Sequence, residues 1–296
     1  TDWNFDILRN CYDAIEQIAV DELGLEVYPN RIEIITSEQM LDVYTSHGMP
    51  VSYAHWSAGK RFVTHENAYR RGLMGLAYEV VINSSPCISY LMEENSATMQ
   101  ALVIAHAAFG HNHFFRNNRL FRDWTDPTQI LDYLEFARSY IARCEDRYGV
   151  KAVERVLDAA HALQGQGVDR HLGNKRVDLR AEADRARERR EYEDQRFNDL
   201  WRTVPKAELV TPNGENSSAP DGAQGMPEEN LLYFLEKNAP RLEPWEREII
   251  RIVRLTAQYF YPQPQVKVMN EGCATWVHDF IMRRLHEKSL IDDLSL

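Results

Sequence analysis

Apolar positions along this chain fall mainly at helical spacing. Leu8, Tyr12, Ile15, Ile18 and Ala19 recur every three or four residues, which predicts an amphipathic helix over residues 1–25. Tyr28-Pro29-Asn30 breaks that pattern, Arg31 to Thr36 reads as a strand, and Ser37 caps a short helix. Residues 48–71 mix aromatic, His and Gly residues without a clean period and read as loop and short elements. Leu76 to Asn83 is β-like, and Ser84-Ser85-Pro86 ends it.

A long apolar helix is expected from Tyr90 to Phe114, with Met99, Leu102, Val103 and His106 on one face. Asp126-Pro127 opens another that runs to Gly149, and Lys151 to Leu163 forms the next, with Val153, Leu157 and His161 in register. Residues 176–200 are dominated by Arg, Glu and Asp and read as a solvated helix laced by i,i+4 ion pairs. Asn230 to Lys237 and Trp245 to Phe260 are again helical, and Tyr261-Pro262-Gln-Pro264 stops the second. The last helix is expected from near Asn270, with Glu271, Thr275, His278 and Met282 on one face. The pattern predicts a mainly α fold with a small β-sheet. Residues 1–204 and 229–296 belong to one domain, joined by a flexible linker or loop at 205–228 rich in Pro, Gly, Asn and Ser.

Composition narrows the class of protein. A net charge of −11 argues against broad binding to nucleic acid or anionic membranes. No apolar run approaches the roughly 20 residues of a membrane helix. Four scattered cysteines without a CxxC pair fit reduced thiols in a cytoplasm, the expected location.

The densest chemistry is His106-Ala-Ala-Phe-Gly-His111-Asn-His113 inside the apolar helix. Imidazole is the commonest side-chain ligand for zinc. His106 and His111 are five residues apart, about 140° on an ideal α-helix, so sharing a metal requires a π-bulge, which Gly110 is placed to permit. His106 and His113 share a face but lie about 10 Å apart along the axis, too far for one ion. Glu271, offered from a second helix, completes a His₂Glu set of the kind that holds zinc. His278 is too far from Glu271 for the same ion and is read as a supporting group or proton donor. Three further expectations concern other residues. Cys87 is a candidate nucleophile with His106 or His111 as its base. Lys60, Arg70 and His55 are candidates to hold a substrate, and His161 is read as a bonded core histidine.

At these residues the chain closely resembles the stage V sporulation protein R (SpoVR-like) family. The matching stretches include Tyr28-Pro-Asn-Arg-Ile-Glu-Ile-Ile-Thr-Ser-Glu, His55-Trp-Ser-Ala-Gly-Lys60, Tyr69 to Glu79, Leu91-Met-Glu-Glu-Asn95, His106 to Phe115 and Met269-Asn-Glu-Gly272. The resemblance implies a cytoplasmic bacterial protein tied to spore-cortex or stress physiology. It also implies a serine kinase or cell-wall enzyme as partner, and a peptide or cell-wall precursor as substrate. The two motif helices look like a distant version of gluzincin metallopeptidases, which implies a zinc-dependent enzyme acting on amide bonds. In those enzymes a Glu follows the first His and activates water; here that position is Ala107. Proton transfer therefore falls to another group, and Glu79 and His278 are the candidates. A non-catalytic, partner-binding role is the alternative that Ala107 favours.

Overall fold

The computed structural model describes residues 3–45, 53–73, 75, 78–170 and 230–291. The charged segment 176–200 and the linker 205–228 lie outside them. The chain is mainly helical with one small sheet, as its pattern predicts.

Helix α1 (Phe5–Gln17) starts where Asn4 accepts from the Ile7 amide, and continues as a π-helical turn, Ile18–Glu22. Strand β1 (Asn30–Ile35) leads into α2 (Ser37–Thr45). Residues 56–70 are one continuous helix, α3 (Trp56–Arg70), where the sequence pattern suggested loop. Strands β2 (Glu79–Ile82) and β3 (Cys87–Met92) follow. The sheet order is β1-β3-β2, with β1 parallel and β2 antiparallel to β3. Tyr90 to Met92, expected at the start of a helix, is thus the end of the central strand. The helix begins later: Ser96 accepts from the Met99 amide at 3.2 Å and starts α4 (Ala97–Ile104).

The chain then passes through a π-helical segment, Ala105–His111, into α5 (Asn112–Asn117) and α6 (Arg119–Trp124). Asp126 accepts from the Thr128 amide in a turn, and α7 (Ile130–Tyr148) begins a few residues after the expected start. Helices α8 (Val150–Ala162), α9 (Leu231–Asn238) and α10 (Pro244–Phe260) complete a helical layer. Their core joins Ile141, Val153, Leu157, Leu232, Ile249 and Val253.

The last helix, α11, spans Pro262–Glu287. A first turn opens at Pro262, where proline is tolerated, and ends in a kink at Val266 (φ −122°, ψ 16°); beyond it the main helix runs from close to the expected start near Asn270. Beyond the kink its buried residues Asn270, Ala274, Val277 and Ile281 repeat every three or four positions on the side that packs against the π-helical segment. Gly110 makes that approach possible: a Cβ there would lie 2.7 Å from Ala274 Cα and 2.9 Å from its Cβ. No helix among the described residues is long and apolar enough to cross a membrane.

Candidate metal centre

Three elements converge on one point. The π-helical segment supplies His106 and His111. An α-helix would turn these rings apart; here their centroids are 4.6 Å apart and nearly perpendicular. Strand β2 supplies Glu79. Along this strand Val80 and Ile82 enter the core around Met40 and Tyr259, while Val81 joins Cys87, Phe114 and Phe115 on the other face. Period-two alternation puts Glu79 on the Val81 face, toward the π-helical segment. Helix α11 supplies Glu271.

The distances fit an ion. Glu79 Oε1 lies 3.4 Å from His106 Nε2 and 3.8 Å from His111 Nε2. Glu271 Oε2 lies 3.7 Å and 3.8 Å from the same two nitrogens. Tetrahedral ligands about 2.1 Å from a zinc ion lie roughly 3.4 Å from one another. Glu79, His106 and His111 form the tightest set, with all ligand atoms within 4.8 Å of one another. Glu79 is also the more enclosed carboxylate, its side chain 16% exposed against 49% for Glu271. Its second oxygen, Oε2, is buried without a hydrogen-bond partner.

The outer nitrogens of both imidazoles are occupied, which fixes where their lone pairs point. His111 Nδ1–H donates to Asn270 Oδ1 at 2.9 Å, leaving Nε2 bare toward the carboxylates. His106 Nδ1 faces α11, where His278 Nδ1 lies 2.8 Å away and the Ala274 backbone offers a further hydrogen bond. With the proton on that side, His106 Nε2 is also bare toward the centre.

Burial and neighbouring charge set the protonation of these groups. Burial holds both imidazoles neutral: His106 is lowered to about 3, with His111 and His278 adding to the effect, and His111 is lowered too. Burial first, and the Glu271 charge second, raise Glu79 to about 8. Glu79 thus carries a proton at neutral pH that a bound cation must displace. Zinc affinity is therefore expected to rise about tenfold per pH unit up to about 8 and level off above it. Titration of the imidazoles would instead flatten the curve from about pH 6.5 upward. Competition against a chromophoric chelator between pH 6 and 8.5 separates the two.

The whole chain, not only these motifs, has relatives. The profile of the family described as "SpoVR like protein" matches residues 2–296. The chain belongs to the SpoVR-like family. The "Uncharacterized protein YcgB" of Escherichia coli (strain K12) is 53% identical over 292 residues. That match covers 99% of this chain but 56% of the relative. No solved structure matches the chain significantly.

The remaining SpoVR-like motif residues separate by surroundings. His278 meets His106, as a supporting group would. His113 turns away to the Glu26 backbone, with its Nδ1 3.0 Å from the carbonyl oxygen. Cys87 does not have the environment of a nucleophile. It is fully buried on β3, its thiol donates to the Ile82 carbonyl, and burial pushes it up to about 12. Iodoacetamide is accordingly expected to leave Cys87 unmodified in the folded chain, as peptide mapping would show. Arg70 is exposed and pairs with Glu66 at 2.6 Å, and Lys60 lies exposed on α3. His55 caps α3 and reaches Asp158 on α8. Among the described residues, the contacts of Arg70 and His55 do not lead to the metal centre.

The Asn-Glu-Gly motif marks Asn270 in the sequence without giving it a role; in the fold it orients His111. It is one Asn in an otherwise apolar stripe, and it is 1% exposed. A buried amide at such a position needs a partner.

Proposed function

We propose that this SpoVR-like chain is a zinc-dependent enzyme that cleaves or transfers an amide bond in a peptide or cell-wall precursor. The carrying observation is the convergence of two bare imidazole nitrogens and two carboxylates from three separate elements. His106, His111 and Glu79 would hold the ion. A bound zinc ion would polarise a carbonyl and acidify water.

The chain's own groups supply the rest. Glu271, half exposed beside both imidazoles, is the carboxylate on the solvent side. It takes the role left open by Ala107, accepting a proton from the attacking water and passing it to the leaving amine. Glu271 and Glu79 thus exchange the duties expected from sequence. Asn270 and His278 hold the two rings in register. The choice of peptide and cell-wall amides rests on the family resemblance.

The test is amine release from peptidoglycan-derived peptides by the zinc-loaded chain. Release is expected to stop on chelation and to fall at least about 100-fold in Glu271→Gln with zinc still bound. Release by His111→Ala equal to that of the loaded native chain would overturn the reading. A second reading, binding of a kinase or cell-wall enzyme without catalysis, draws on Ala107, which is fully buried and presents no acid or base. It predicts zinc binding with no amine release.

A further inference from the structure

A second group of reactive side chains lies where α3 meets α8. Ser57 Oγ is 2.7 Å from His55 Nδ1. His55 Nε2 is 3.1 Å from Asp158 Oδ1. The Ser57 amide also donates to His55 Nδ1, at 3.4 Å, which makes Nδ1 the accepting nitrogen. The ring proton then sits on Nε2 and points at Asp158. Hydroxyl, imidazole and carboxylate stand in line, in the order of nucleophile, base and orienting group.

Capping explains only part of this. A histidine at the N-cap accounts for the contact with the Ser57 amide. It does not require the serine hydroxyl on the same nitrogen, nor a carboxylate from another helix on the opposite one. Asp158 is itself held, accepting from the Trp56 indole at 2.6 Å. His161 packs edge-on against His55, with ring centroids 4.5 Å apart, and its Nε2 lies 2.7 Å from the Tyr53 hydroxyl. The His55 side chain is 5% exposed, Trp56 next to it is 53% exposed, and Ser57 is partly exposed.

We propose that Ser57 is an acyl-accepting nucleophile for carboxylic esters, with His55 as its base and Asp158 as a positioning residue. Ser57 Oγ bonds to the ester carbonyl carbon as its proton passes to His55 Nδ1. The C–O bond to the alcohol then breaks, and that proton leaves with the alkoxide. Water attacks the acyl-serine, gives one proton to His55, and frees the carboxylic acid as Ser57 Oγ recovers that proton. An oxyanion here would draw on backbone amides of the first turn of α3, which helix geometry leaves without an intrahelical acceptor.

The probe is a fluorophosphonate, applied to the whole chain and mapped by mass spectrometry. Ser57 is expected to be modified at least about 100-fold faster than exposed Ser139. Asp158→Asn is expected to lower that rate about 100-fold, with Asp158→Glu restoring part of it and Tm little changed. Labelling is expected to survive chelation, which separates this site from the metal centre. Modification of Ser57 no faster than Ser139 in the native chain would overturn the proposal. So would an Asp158→Asn variant that labels at the native rate.

Discussion

Replacing Glu79 by Gln is expected to weaken zinc binding by at least about 100-fold, beyond the loss usual for a supporting residue. In the metal-free chain the same change acts in the opposite direction on stability. The Glu79 carboxyl is raised to about 8 in the fold from an ordinary 4.5. Between those values the unfolded chain releases a proton that the folded chain keeps, so stability falls as pH rises from 4.5 to 8 and is level above. Gln has no such slope. The stability of the variant relative to the native chain should therefore grow across that window. His106 imposes the reverse dependence on both proteins: its folded value near 3 lies below 6.5, so stability is lost as pH falls between them. Denaturant melts at pH 5 and pH 8.5, with and without zinc, check all of this. At a free zinc concentration 100 times Kd, the native chain should gain about 2.7 kcal/mol and the variant almost nothing.

Gly110→Ala is the second change with a large expected effect. The added methyl would meet Ala274 Cα at 2.7 Å and Ala274 Cβ at 2.9 Å. Both are fixed atoms of a packed helix rather than the tip of a flexible side chain. The π-helical segment and α11 must separate, at a cost of about 1–3 kcal/mol or more for overpacking. The cost falls on the metal centre, because Ala274 lies between Asn270 and His278, the two residues that hold the imidazoles. A lower Tm together with weaker zinc binding is expected. Ala274→Gly in the same chain should recover part of both, since it removes one of the two close contacts.

How far the sequence led depended on the kind of signal. Two histidines five residues apart can share an ion only if the helix widens to a π-turn, and the segment Ala105–His111 is π-helical. The mainly helical class followed from apolar residues at three- and four-residue intervals. Strand β3 is hard to read for a physical reason: Cys87 to Leu91 is buried on both sides, and such an apolar run has no alternation to tell it from the start of a helix. The main part of α11 is legible in the sequence, because the kink at Val266 puts its start close to Asn270; the extra turn from Pro262 is not, since two closely spaced prolines mark a stop as readily as a first turn. Glu79 was found from its strand, but its partnership with the two imidazoles depends on how β2 packs against the π-helical segment. No spacing along the chain records that contact.

We propose that His106, His111 and Glu79, with Glu271 beside them, form one metal centre. Metal content of the purified chain after zinc loading and removal of excess ion tests it most directly, with anomalous scattering at the zinc edge to place the ion. One zinc per chain between the π-helical segment, β2 and α11 is predicted, lost in His111→Ala and Glu79→Gln. A folded chain that retains no stoichiometric zinc after exposure and removal of excess ion, or that holds its ion elsewhere, would rule this centre out.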